Sequence, residues 1–193
     1  IAAACLAGST HIGAGSNADL HGTARNGARA EATAVIWLEA PLAPPASPSQ
    51  PIVISQHNMA FAPRITAIRV GTTVEFPNDD RVFHNVFSFH DGKRFDLGTY
   101  PVGASRRVVF SQAGVSRLFC NIHPNMAGYV VAVDSPYFAT TAPDGSFTIG
   151  GVPPGQYTLK IELSGFKAVT VTGIQLLTTE VRDLVKLARE TLG

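Results

Sequence analysis

Cysteine is nearly absent. The 193 residues contain two, Cys5 and Cys120, so a disulfide framework is excluded. A surplus of one charge is missing too. Fifteen Lys+Arg face 14 Asp+Glu, a formal net charge of +1, which argues against nucleic acid or an anionic membrane surface as the main partner. No apolar run reaches the roughly 18 residues of a membrane-spanning helix. Helical periodicity is weak along the middle of the chain. What is present is 45% hydrophobic residues, enough for a packed core and too many for wholesale disorder. Eighteen Gly and 13 Pro add frequent turns, as in all-β folds.

The first residues, Ile1 to Leu6 (IAAACL), are apolar and small, and small residues continue to Ser16-Asn17-Ala18. This pattern reads as the tail of a secretory signal over 1–18, cleaved after Ala18, and the expectation is export to the periplasm. The competing reading is a buried first strand. Cys5 matches a lipid-acceptor cysteine poorly, because Ala2 stands where a larger aliphatic is preferred.

Strand patterns dominate the remainder. Ala32 to Leu38 is β-branched and aromatic, with short strands also expected at Leu20 to Ala24. Pro41 to Pro51 has five prolines in eleven residues, which cannot join a ladder and reads as a stiff linker. Strand signals then recur at Pro51–Ser55, Ala67–Val70, Thr72–Phe76, His84–Phe89, Ser105–Phe110, Ser116–Cys120 and Gly128–Val133, separated by turn signals such as Asp91-Gly92. Such spacing predicts a sandwich or barrel. Asp134 to Tyr137 reads as a second junction. Beyond it, Asp144–Ile149 and Gln156–Glu162 alternate as strands, with Gly150 to Gly155 as the turn between them. The end of the chain reads as a strand through Leu187 with a frayed tail.

One cluster carries chemistry: Cys120-Asn-Ile-His123-Pro-Asn-Met126, a C-x2-H-x2-M spacing between two expected strands. A tight loop can aim all three side chains at one point, and His84, opening an earlier strand, is the candidate fourth ligand. Thiolate, two imidazoles and thioether are the donors that suit copper, a compromise between the preferences of Cu(II) and Cu(I) that favours fast electron transfer. Singly, each residue reads as core filler or an inert turn residue; the joint pattern does not. Zinc fits less well, because Met is a poor zinc ligand and no second Cys is near. A Cys–His nucleophile pair lacks an orienting third group and leaves Met126 unexplained. A copper enzyme would need an open coordination position and a further His-rich set, so the chain is expected not to be an enzyme.

Thr72-Thr-Val-Glu-Phe-Pro-Asn78, His84-Asn85 and the Cys120–Met126 loop resemble the cupredoxins, the small blue copper proteins of amicyanin-like and plastocyanin-like type. The short loop is similar to the amicyanin variety. The resemblance covers roughly Ile52 to Asp134 and implies a Greek-key β-sandwich holding one type 1 copper through His84, Cys120, His123 and axial Met126. It further implies that the backbone N–H of Asn85 donates to the Cys120 sulfur, and that a redox partner protein docks near the exposed edge of His123. Pro124, Met126, Ala127 and Pro101 are the expected apolar rim. Asp144-Gly-Ser-Phe-Thr-Ile-Gly-Gly-Val-Pro-Pro-Gly-Gln-Tyr-Thr-Leu resembles the carboxypeptidase regulatory-like domain, a prealbumin-like β-sandwich, and the stretch from Leu20 to Leu38 looks like its opening strands.

The expected organisation is therefore all-β: a signal remnant (1–18), N-terminal strands (19–40), a Pro-rich linker (41–51), a cupredoxin domain (52–134) and a regulatory-like domain (138–193) that the cupredoxin insertion splits. The competing arrangement adds the N-terminal strand to the cupredoxin. The expected function is a periplasmic one-electron carrier; the alternative is a copper-binding or storage module, or a structural interaction module. The regulatory-like part would serve as scaffold, or as contact surface for a periplasmic or outer-membrane protein. Among the remaining candidates, His57 reads as a surface histidine, Met59 as core, His21 as a strand-edge residue without a partner, His90 as solvated, and His11 as part of the signal. Arg106-Arg107, with Lys93 and Arg94, reads as a mildly basic face.

Overall fold

The structure is a computed structural model and describes residues 17–26, 29–30, 33–39, 50–89, 91–162, 168–176 and 186–187. The described residues form strands and turns without helix. The expected readings at Cys5, His11, His90 and most of the 41–51 segment lie outside the described residues. The chain divides into two compact units. One is residues 43–136; the other joins residues 1–42 to residues 137–193.

Residues 43–136 build two sheets. The larger has the strand order Phe95–Tyr100, His84–Ser88, Gly114–Phe119, Ala127–Val133, Ile65–Arg69. The smaller has the order Ser105–Val109, Thr73–Pro77, Ile52–Val53. Alternation decides which side chains enter the core. Val86, Leu118 and Val130 point inward and join Phe76, Tyr100 and Phe110 in one cluster. Cys120 and Met126 belong to the same cluster. A two-residue hairpin joins Ser55–His57 to Ala60–Ala62, with positive φ at both Asn58 (52°) and Met59 (55°). This is the geometry that suits the strand twist and that Asn-Gly usually supplies. Gly128 lets this hairpin approach, because a Cβ there would lie 3.1 Å from the Phe61 Cβ and from the Arg64 carbonyl oxygen.

A buried polar network fixes the loops at one end of this unit. The Tyr100 hydroxyl donates to the Phe76 carbonyl at 3.0 Å and accepts from the Gln56 amide. Burial pushes the Tyr100 phenol up to about 12, so it stays neutral. The Asn78 carboxamide donates to the carbonyls of Val82 (2.8 Å) and Tyr100 (3.2 Å), and the Asn78 backbone bonds Gly103 and Ala104. One buried residue, through its side chain and its backbone, thereby ties together the two loops 78–83 and 101–104.

In the other unit, Val35–Glu39 lies between Phe138–Thr140 and Gly155–Glu162, with Val169–Leu176 at the far edge. Trp37 is in register with Phe138 and Lys160, so its strand belongs to this sheet. Ala18–Thr23 pairs with Ser146–Val152. Leu20, Ile36, Leu38, Ile149 and Leu159 form its core. Two local readings differ from expectation. Strand Ser146–Val152 runs through Gly150-Gly151, because the Asp19 carboxylate accepts the Gly151 N–H (2.9 Å) at a bulge. His21 has a partner, with Nδ1 2.8 Å from the Thr148 hydroxyl on the neighbouring strand. In line with the expected strand through Leu187, Lys186–Leu187 pairs in parallel with Arg25–Asn26.

The two core clusters share no residue. Ile36→Ala empties a fully buried site and is expected to cost about 2–5 kcal/mol in the unit containing the single tryptophan, Trp37. Thermal unfolding followed by Trp37 fluorescence should show that loss, whereas Leu118→Ala should leave the Trp37 transition in place.

Candidate metal centre

The hairpin formed by Gly114–Phe119 and Ala127–Val133 ends at the pair Phe119 and Ala127. Cys120 and Met126 are therefore the first residues beyond the last cross-strand pair, on opposite sides of a short loop. Both face inward, at 4% and 1% exposure. The Met126 N–H bonds the His123 carbonyl at 2.9 Å and closes the loop as a turn. His84 arrives from the neighbouring strand, whose Phe87 is in register with Phe119. Running antiparallel to Gly114–Phe119, that strand carries His84 past Cys120 to the same end of the sheet.

Side-chain donor atoms of His84, Cys120 and His123 all lie within 4.8 Å of one another. His84 Nδ1 and His123 Nδ1 are 3.1 Å apart, and the Cys120 sulfur is 3.9 Å from the first and 3.7 Å from the second. A point equidistant from three atoms so arranged is about 2.1 Å from each, a metal–nitrogen bond length and within about 0.2 Å of a metal–thiolate bond. Met126 lies beside this trio and completes the soft donor set.

The His84 ring is held from behind. Its Nε2 is 3.1 Å from Asp80 Oδ2, so the neutral ring carries its proton on Nε2 and leaves Nδ1 bare, facing the sulfur. Asp80 is in turn fixed by the backbone N–H groups of Met59 (2.7 Å) and Arg81 (2.9 Å). These two bonds, Met59 first, with the His84 ring adding to them, hold the Asp80 carboxyl down at about 2. It is therefore a full anion through the neutral range. In the sequence Asp80 ends the turn-like run Pro77-Asn-Asp-Asp80 and has no evident site role; the signal for it is a carboxylate four positions before the candidate ligand.

The Asn85 carboxamide donates to Asp96 (2.8 Å) and accepts the Asn121 N–H at 3.4 Å, just past Cys120. Of the expected apolar rim, Pro101 and Pro124 are exposed and Ala127 is half-buried, whereas Met126 is buried; Val82, Phe83, Val102 and Ile122 add exposed apolar side chains on the same loops. Met59 is not core but 57% exposed, because it occupies the tip of the hairpin turn. His57 is exposed, its Nδ1 3.3 Å from the Asp79 carbonyl, and takes no part in the trio.

The fold and the donor set together define a cupredoxin-type metal module, accompanied by a prealbumin-like sandwich. At 31% identity, the chain spans 99% of a purple cupredoxin from Nitrosopumilus maritimus (42% of this chain, TM-score 0.40). An oxidised amicyanin variant is 25% identical over 99% of its length and 52% of this chain (TM-score 0.41). The copper-containing nitrite reductase of Thermus scotoductus SA-01 is 25% identical, but the chain spans only 25% of it, using 49% of its own length (TM-score 0.43). Residues 125–187 match the family model of the carboxypeptidase regulatory-like domain. No curated protein sequence matches the chain.

Removing the Asp80 acceptor is expected to weaken metal binding about 10–100-fold, because the His84 ring loses its orienting partner. Competition titration of Asp80→Ala against a chelator checks this. Asp80→Asn, which keeps an acceptor oxygen, should retain most of the affinity.

Proposed function

We propose that this chain is a one-electron carrier, with His84, Cys120, His123 and Met126 holding a single type 1 copper. The observation that carries the reading is the triangle of two imidazole nitrogens and one sulfur, sized for one ion. When bound, the copper supplies a centre that cycles between Cu(II) and Cu(I) with little change of preferred geometry. The protein's residues do the rest. Cys120 offers a buried thiolate that delocalises charge. Asp80 and the hairpin tip hold His84, so its Nδ1 need not reorganise as charge changes. Met126, closing the loop by its bond to His123, shields the remaining side from water.

Four protein donors leave no coordination position for a substrate, which favours a carrier over an enzyme. Val82, Phe83, Val102 and Ile122 expose apolar surface on the loops around the ligands. A small patch of this kind suits brief encounters with a redox partner near His123. In this reading the carrier works in the periplasm, in line with the small apolar N-terminal stretch.

The test is an absorption spectrum of the full chain with one equivalent of Cu(II), followed by ascorbate. An intense visible band that bleaches and returns reversibly is the expected result. Copper bound without that band would instead mark a storage or structural module. Cys120→Ser should abolish the band, because the thiolate carries the charge transfer. Met126→Leu should keep the colour and raise the reduction potential, since losing the axial sulfur favours Cu(I).

A further inference from the structure

The hairpin that joins Ser55–His57 to Ala60–Ala62 breaks a local rule at its tip. A two-residue turn with positive φ at both positions favours glycine at the second. Met59 occupies that position at φ 55°, and it is 57% exposed. No packing gain accounts for a methionine there, because its side chain stands in water. A left-handed backbone costs stability in any residue with a side chain, and such outliers gather at functional sites.

His57 closes the strand just before the turn and is exposed too. Its Nδ1 lies 3.3 Å from the Asp79 carbonyl oxygen, so the neutral ring carries its proton there and leaves the Nε2 lone pair bare. A histidine that donates one ring N–H to a backbone carbonyl and offers its other nitrogen is arranged as a metal ligand. Asp79 is itself fixed. Its N–H donates to the Gln56 carbonyl at 3.0 Å, and its carboxylate accepts the Ser55 hydroxyl at 2.6 Å. The unbranched, flexible side chain of Met59 lets its thioether swing toward the His57 ring across the turn.

We infer that the hairpin tip is a second metal site, apart from the His84, Cys120 and His123 trio, that takes Cu(I) through His57 Nε2 and the Met59 sulfur. A thioether with a neutral imidazole selects a soft ion and suits zinc, magnesium or calcium poorly. Cu(I) is soft and accepts a low coordination number, so a pair of donors on the surface suffices. The tip also touches the support of the first centre. Asp80 Oδ2 accepts the Met59 N–H at 2.7 Å and lies 3.1 Å from His84 Nε2. The second site stands whether or not the first one carries electrons.

The chain has two methionines, so isotope labelling of their methyl groups gives two NMR signals, which Met59→Leu assigns. The full chain is titrated without oxygen with Cu(I), supplied as its acetonitrile complex. The Met59 signal should move by the second equivalent. His57→Ala should weaken that response at least about tenfold, the loss that follows removal of even an orienting partner of a ligand. Met59→Gly suits the turn, so it should melt at a higher temperature without metal and bind one equivalent fewer, counted by competition with bicinchoninate. A Met59 signal that stays still through two equivalents, or that moves at the same affinity in His57→Ala, overturns the proposal. A Met59→Gly chain that binds as many equivalents as the parent overturns it too. Movement of the Met59 signal alone, with that of Met126 unchanged, would support the tip site and count against copper at the first centre, so the two readings fail separately.

Discussion

Two imidazole nitrogens and a cysteine sulfur, all within 4 Å of one another, gather three donor atoms at one point, with His84 and Cys120 buried and His123 half-buried. Such an arrangement is unfavourable in a low-dielectric interior unless a cation or shared proton sits between them. The surrounding structure maintains it. Asp80 takes the proton of His84 away from the meeting point, two backbone amides anchor Asp80, and the Cys120–Met126 loop closes on the His123 carbonyl. The scaffold thus prearranges the candidate donors, and an ion bound there would need little reorganisation of them.

A β-sandwich suits this task because strand ends are rigid and close together. Cys120 and Met126 are neighbours across a hairpin, and His84 is one strand away. The supports come from farther along the chain. Gly128 admits the 55–62 hairpin, whose tip delivers the Met59 N–H to Asp80. Asn78 fastens the loop between Asp80 and His84 to the turn after Tyr100. A buried amide and phenol, Gln56 and Tyr100, lie in the same network. Polar groups that are costly to bury are gathered where they stiffen the ligand loops.

The second unit shows why contiguous sequence is a poor guide to its architecture. The regulatory-like match covers 125–187, yet Ala127–Val133 is hydrogen-bonded between Gly114–Phe119 and Ile65–Arg69 in the 43–136 unit. The strand beside Phe138–Thr140 is instead Val35–Glu39, about a hundred residues earlier in the chain. A linear comparison takes the nearest strand-like segment; pairing is decided by which apolar face completes the core, and Ile36 and Leu38 complete this one.

The sequence alone brought out the candidate donors Cys120, His123 and Met126, because they are local in the chain and local spacing survives folding. It determined the all-β class, because alternation and turn residues are local too. It did not show Phe95–Tyr100, an edge strand whose Asp96, Gly98 and Thr99 are exposed and break the apolar pattern. Nor did it show that Met126 lies inside, Met59 outside, or that Asp80 bonds His84: each depends on segments distant in the chain meeting, here the hairpin tip, the 78–83 loop and the strand end. Composition sets which atoms can bind an ion; only tertiary packing sets the direction of each lone pair and which rings are left facing water.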